Sequence, residues 1–303
     1  MKTPIQQGNS HALTIPQAAF DWYDEYAHGD IDRRTFLARL GTLGVAGLTL
    51  GAITTALTPN YALAHQVDFT DPDIKATYTV FDSPDGHGEG RGYLVVPTGV
   101  SELNKAPAVL VAHENRGLNP YIEDVARRLA KAGFIAFAPD ALHPLGGYPG
   151  NDDDGKEMQK SLDRGAIEQD FMAAANLLNT HPFSTGKLGM VGFCFGGYLV
   201  NKAAVTLGDK LTAGVPFYGT PASEGFEAIS APLLIHFAAL DKRVNATWPE
   251  YQSVLDRLGK RYTAHTYPDV NHGFHNDSTG RYNEPAAELA WSRTIDFFKS
   301  NLA

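Results

Sequence analysis

The sequence predicts an α/β fold: a mostly parallel central sheet flanked by helices. Three observations lead to it. From about residue 70, short β-rich runs alternate with longer amphipathic ones. "APAVLVAHE" and "APLLIHFAAL" are continuous apolar runs of the kind buried on both faces of a sheet. With 43% hydrophobic and 11% aromatic residues, the 303-residue chain can cover such a sheet on both sides.

The elements follow in order. "KATYTVFDS" and "GRGYLVVP" are expected strands, joined by the Gly-rich turn "PDGHGEG" as an antiparallel opening hairpin. "APAVLVAHE" is the next strand. "YIEDVARRLAKAG" places Ile122, Val125, Ala126, Leu129 and Ala130 on one helical face and ends at a capping Gly133. "FIAFAPD" is a strand, and "ALHPLGGYPGNDDDG" is expected to be a long polar loop beside the site. "AIEQDFMAAANLLNTH" is a helix, "KLGMVGF" a strand and "FGGYLVNKAAVTL" a helix. "AGVPFYG" and "APLLIHFAAL" are strands, followed by helix "WPEYQSVLDRLGK", strand "YTAHTYPD" and the closing helix "EPAAELAWSRTIDFFKSNL". Residues 65–303 read as one domain.

Composition narrows the function. A net charge of −9 argues against nucleic acid or an anionic membrane as partner, because phosphate-rich surfaces need clustered Lys and Arg. A single cysteine, Cys194, excludes an intramolecular disulfide and a Cys-rich zinc site. A small molecule is the expected partner, on a monomer or small homo-oligomer.

Residues 1–64 read as an N-terminal extension. Arg33 and Arg34 are followed by Phe36 and Leu37, an apolar Gly/Ala-rich run from Leu40 to Leu57, Pro59 and a small-x-small end at Ala62-Leu63-Ala64. This is the layout of a twin-arginine export signal with cleavage after Ala64, and it implies a periplasmic or exported protein. The segment ahead of the arginines departs from that layout. It is long and acidic, with Asp21, Asp24, Glu25, Asp30 and Asp32, where signal n-regions are short and basic. An uncleaved anchor or a cytoplasmic helical appendage are the alternatives.

The chemistry centres on "VGFCFGG", which fits G-x-C-x-G-G with Gly192, Cys194, Gly196 and Gly197 between a strand and a helix. The nucleophile elbow of the α/β-hydrolase fold has this layout, with serine most often at its centre. So sharp a turn requires neighbours without side chains. A cysteine there stands at a helix N-terminus, which favours a thiolate and later an oxyanion. A buried cysteine packed between strand and helix is the blander reading of the same residues. In this fold the acid and then the histidine follow the nucleophile. Asp241 lies just past a buried strand, and His272 lies in the loop before the closing helix. Cys194, Asp241 and His272 are all expected at C-terminal strand ends, where an open α/β sheet builds its ligand site. His275 forms H-x-x-H with His272, but no third ligand with metal-site spacing accompanies it, so no metal is expected. His236 reads as a core residue, His143 as a loop histidine and "NDDDG" (151–155) as a solvated turn.

The motifs "HENRG" (113–117), "GFCFGG" (192–197), "ALD" (239–241) and "HGF" (272–274) strongly resemble the dienelactone hydrolase (carboxymethylenebutenolidase) family of α/β-hydrolases. The resemblance implies a Cys194–His272–Asp241 triad, no cofactor, and a role for Glu114 in generating the thiolate. A carboxylate at the end of "APAVLVAHE" has a physical basis for that role, since it can share a proton with the thiol. An ion pair of Glu114 with Arg116 is the alternative. The oxyanion hole is expected from the backbone N–H of Phe195 and of Asn115. Where the family's best-known members carry a serine and an arginine after the histidine to grip the substrate carboxylate, this chain has Gly273 and Asn276. Lys156, Arg164, Arg243 and Arg281 are candidate replacements. The expected reaction is hydrolysis of a lactone or carboxylic ester through a thioester. A general carboxylesterase or thioesterase on the same scaffold, a non-catalytic binding protein and a redox role for Cys194 are the rivals.

Overall fold

The structure, a computed structural model, describes residues 15–43, 50–61 and 65–303. Two compact units divide it, Met1–Thr58 and Pro59–Ala303.

The first unit holds α1 (Gln17–His28), α2 (Arg33–Thr42) and α3 (Leu50–Leu57). Gly29, at φ 84°, caps α1 in the left-handed conformation that glycine adopts without strain. Asp32 caps α2, its carboxylate accepting the Thr35 amide at 2.7 Å, so Arg33 and Arg34 fall in the first helical turn. Phe36 and Leu40 are buried, and Phe36 stacks on Tyr26 with ring centroids 5.0 Å apart. Arg39 pairs with Glu25 at 2.6 Å. The acidic stretch ahead of the arginines is thus a helix with an aromatic core of its own. The expected processing site at Ala62–Ala64 and the 44–49 part of the apolar run lie outside the described residues. Among the described residues, no helix is long and apolar enough to cross a membrane. The boundary between units falls ahead of the expected 64/65, because Tyr61 is held by the second unit. Its hydroxyl donates to Asp152 and accepts from Asn119 Nδ2 at 2.9 Å.

The second unit is built on an eight-stranded sheet. Its strands are β1 (Ile74–Ser83), β2 (Gly88–Pro97), β3 (Ala106–Ala112), β4 (Ile135–Pro139), β5 (Ser184–Phe193), β6 (Ala213–Phe217), β7 (Leu233–Ala238) and β8 (Tyr262–Tyr267), in the order β1-β2-β4-β3-β5-β6-β7-β8. The opening hairpin is antiparallel, pairing Ile74 with Pro97 and Ser83 with Gly88. β2 runs antiparallel to β4, and every pair from β4 to β8 is parallel. The apolar runs of the sequence are the buried strands: β4, β6 and β7 are buried along their whole length, β3 at all but Pro107, and β5 from Leu188 to Phe193.

Helices cover both faces. α4 (Pro120–Lys131) and α10 (Glu284–Leu302) pack Ile122, Val125, Leu129, Phe298 and Leu302 on one side. α6 (Arg164–Thr180), α7 (Phe195–Leu207) and α9 (Trp248–Arg257) pack Phe171, Leu178, Leu199 and Leu255 on the other. The expected loop after β4 is more ordered than its composition implies. It holds a 3₁₀ turn at His143–Leu145 and then α5 (Asp152–Ser161). "NDDDG" is therefore a helix start rather than a solvated turn. Asn151 caps it by accepting the Asp154 amide, and three aspartates sit where the helix dipole favours negative charge.

Candidate active site

Cys194 sits between β5 and α7 at φ 57°, ψ −111°, a backbone conformation that costs an L-residue about 1–3 kcal/mol and clusters at functional sites. The surrounding backbone over-determines it. The Cys194 amide donates to the Phe217 carbonyl at 3.1 Å, and the Tyr198 amide donates to the Cys194 carbonyl at 3.1 Å. A Cβ on Gly192 would lie 2.1 Å from the Gly196 carbonyl oxygen, and one on Gly196 would lie 2.0 Å from the Ala112 carbonyl oxygen. These glycines allow the elbow to close on itself and to touch the end of β3. Cys194 is 9% exposed at the start of α7.

His272 and Asp241 approach from the C-terminal ends of neighbouring strands. Asp241, just past β7, accepts the Val244 amide through Oδ1 at 3.0 Å and thereby caps α8 (Lys242–Asn245). Its Oδ2 lies 2.6 Å from His272 Nδ1, and both residues are buried. A ring nitrogen of His272 lies within 4.8 Å of Cys194 Sγ. Tyr218, another non-glycine residue at positive φ (37°), lays its ring 4.8 Å from the His272 ring. The structure thus brings Cys194, Asp241 and His272 together from sequence positions far apart.

Glu114, at the end of β3, is buried in the same place. Its Oε2 accepts from Asn276 Nδ2 at 2.9 Å. Burial and the neighbouring Cys194 push its carboxyl above the usual carboxylate range, against the opposing fields of Arg281 and Arg116. Arg116 lies 3.4 Å from the Asp152 carboxylate, which makes Asp152 its near acidic partner. Phe195 opens α7, directly after the nucleophile position, and Asn115 follows Glu114.

The four cationic candidates separate. Arg281 is buried over Gly273: a Cβ on that glycine would stand 2.9 Å from the guanidinium carbon. Lys156 is buried on α5, and burial lowers its ammonium pKa. Arg164 is exposed, stacking on Tyr198 at 4.2 Å and pairing with Glu168 at 3.4 Å. Arg243 is the second residue of α8, the helix that Asp241 caps. Among the other histidines, His236 is a buried core residue linked to Tyr267 and Thr294. His275 is buried on Tyr121, and His143 lies in the 3₁₀ turn, 3.3 Å from Glu89. Sequence reasoning gave no role to Asn276 as the partner of Glu114, to Tyr218, or to His113. The first letter of "HENRG" was the available signal for His113.

The profile of the dienelactone hydrolase family matches residues 91–302. The chain belongs to the dienelactone hydrolase family. A second profile, YqhI-like, matches residues 7–45. The hydrolase fragment YghX of Escherichia coli K12 is 64% identical over 116 residues, 38% of this chain and 97% of the fragment. Carboxymethylenebutenolidase 1 of Cupriavidus pinatubonensis is 27% identical over 223 residues, 69% of this chain and 91% of that enzyme. The crystal structure of a dienelactone hydrolase from Anabaena variabilis superposes with a TM-score of 0.60 at 20% identity, covering 76% of this chain and all of that one. This member of the dienelactone hydrolase family is accordingly a hydrolase with an α/β-hydrolase fold, and a small-molecule ester or lactone substrate is consistent with it.

Proposed function

We propose that the protein hydrolyses a lactone or carboxylic ester through Cys194, His272 and Asp241. The carrying observation is the 2.6 Å His272–Asp241 contact beside a strained, elbow-borne cysteine. The thiol proton passes through Glu114 to His272, and the thiolate forms the S–C bond to the carbonyl carbon. The tetrahedral oxyanion rests on the Phe195 and Asn115 amides. Its collapse breaks the C–O bond, the alcohol or enol leaves with a proton from His272, and a thioester remains. Water then gives a proton to His272, adds to the thioester and releases the acid and the thiolate. Asp241 holds the imidazole in the tautomer that both steps need.

The cations point to an anionic acyl or leaving group. Arg281, buried beside His272 and Glu114, is the assigned contact for a substrate carboxylate, in place of the arginine that the resemblance expects at 276. The test uses the full chain, wild type and Cys194→Ala, with a dienelactone and p-nitrophenyl acetate. Turnover that disappears in a folded Cys194→Ala variant supports the reading. Equal activity of the variant, or an inactive wild type, rejects it.

We further propose that the N-terminal segment directs export by the twin-arginine route, on the Arg33-Arg34-x-Phe36-Leu37 pattern. Burial of Phe36 and Leu40 in the core of the first unit favours a rival reading, a retained helical module. N-terminal sequencing of protein from the native host decides: a start at residue 65 supports export with cleavage, and a start at residue 1 or 2 supports retention.

A further inference from the structure

His113 is completely buried where β3 ends, its ring edge-on to Phe171 of α6 with centroids 5.5 Å apart. The Ala141 amide points at its Nε2 from 3.1 Å. An amide N–H can only donate, so Nε2 is the lone-pair nitrogen and the ring proton sits on Nδ1. That N–H donates to the Glu114 carbonyl oxygen at 2.5 Å. The ring has one acceptor and one donor, and both are used on backbone.

The peptide joining Glu114 to Asn115 is trans, and in a planar trans peptide the N–H points opposite to the C=O. Anchoring the Glu114 carbonyl to His113 therefore aims the Asn115 N–H away from the ring. Side chains alternate at a strand end. His113 faces Phe171, whereas Glu114 faces Asn276 with Cys194 near by. Gly196 brings the elbow against this turn: its missing Cβ would stand 2.0 Å from the Ala112 carbonyl oxygen and 2.8 Å from that of His113.

We propose that His113 is a positioning residue for the oxyanion site. Its Nδ1–H fixes the Glu114–Asn115 peptide so that the Asn115 N–H, together with that of Phe195, faces the oxygen that becomes negative when Cys194 attacks. The inference rests on the ester-hydrolysis reading above.

Two amides divide the imidazole's functions. Asn offers a donor near the Nδ1 position, and Gln offers an acceptor near the Nε2 position. The experiment compares full-length wild type, His113→Gln and His113→Asn in p-nitrophenyl acetate hydrolysis and in Cys194 alkylation by iodoacetamide, with thermal unfolding as the folding check. Alkylation displaces iodide and forms no oxyanion, so it reads the thiolate alone. The expected result for His113→Gln is a loss of about 10²-fold in kcat/KM, carried by kcat, with alkylation within about twofold of wild type. His113→Asn recovers at least about tenfold of that loss, since it restores the donor. Unchanged hydrolysis in His113→Gln overturns the proposal, and so does a parallel fall of hydrolysis and alkylation. If His113→Gln does not fold, His113→Asn decides: hydrolysis within about tenfold of wild type supports the role, and a larger loss overturns it. An inactive wild type, or an active Cys194→Ala, overturns the ester reading and this inference with it. An active wild type with an unaffected His113→Gln overturns this inference alone.

Discussion

His236 and His275 make the fold acid-sensitive in a window that can be worked out. Both are fully buried, and burial pushes both imidazoles well below their ordinary pKa. The positive fields of His265, His275 and Arg293 act the same way on His236, and that of Arg128 on His275. His236 faces Tyr267 on β8 and Thr294 on α10, and His275 faces Tyr121 on α4 and Trp291 on α10. No carboxylate is bonded to either ring among these partners to hold a proton in place. In the unfolded chain each histidine titrates near 6.5. Below that pH the unfolded state takes up protons that the folded state refuses, so stability falls as pH falls. Between pH 7.5 and 5.5 the two together remove about 3 kcal/mol. The buried His113, also lowered, adds in the same direction. Glu114 has the opposite sign: its carboxyl is raised, so in the range above the unfolded carboxylate value the fold holds the extra proton and gains stability as pH falls. The assay is urea unfolding followed by tryptophan fluorescence at the two pH values. With a slope of about 3 kcal/mol per molar, the midpoint is expected to drop by about 1 M. His275→Asn keeps a polar amide near the Nδ1 position that meets the Tyr121 hydroxyl and removes one titration, so it is expected to lose about half of the drop. A midpoint that does not move with pH, or a His275→Asn drop as large as the wild-type one, refutes the reasoning.

Three further outcomes follow from the site. Asp241→Asn is expected to lower kcat by about 10³–10⁴-fold through the wrong His272 tautomer, with circular dichroism unchanged; steady-state kinetics on p-nitrophenyl acetate check it. Arg281→Met is expected to raise KM at least about tenfold for an ester bearing a free carboxylate relative to its neutral methyl ester, which substrate-pair kinetics measure. Gly196→Ala puts a carbon 2.0 Å from the Ala112 carbonyl oxygen, where only backbone can yield. It is expected to cost about 3 kcal/mol or more and to abolish turnover, as urea unfolding and activity assays report.

The strands were legible because parallel-sheet burial leaves its mark in uninterrupted apolar runs, and the elbow because close approach demands glycine at fixed offsets. Cys194, Asp241 and His272 were legible by their order along the chain and their places at strand ends. What was not legible depends on pairings without local pattern. Asn276 meets Glu114 across 162 positions, and Tyr61 meets Asp152 across 91. α5 looked like a loop because Asp-rich composition is shared by turns and helix first turns; the Asn151 cap separates the two. His113 was hidden for another reason: its role lies in which backbone groups its ring nitrogens touch, and sequence does not carry peptide orientation.

Asn276 also decides where a proton can ride on Glu114. The Asn276 Oδ1 accepts from the Ser278 amide at 3.1 Å and from the Ser278 hydroxyl at 2.6 Å. The amide can therefore stand only one way round, with Nδ2 toward Glu114, and Oε2 of that carboxyl is an acceptor whatever the pH. A proton on Glu114 sits on Oε1. An arginine in place of Asn276 would hold the carboxyl ionised, whereas a neutral amide leaves its charge to the fields of Arg281 and Arg116. In the proposed reaction these fields are not constant. A substrate carboxylate that engages Arg281 offsets its charge, and Glu114 then binds a proton more tightly. In that proposal the proton comes from Cys194, whose field acts on Glu114, so arrival of an anionic substrate draws one proton from sulfur to carboxyl on its way to His272 and leaves the thiolate facing the carbonyl carbon.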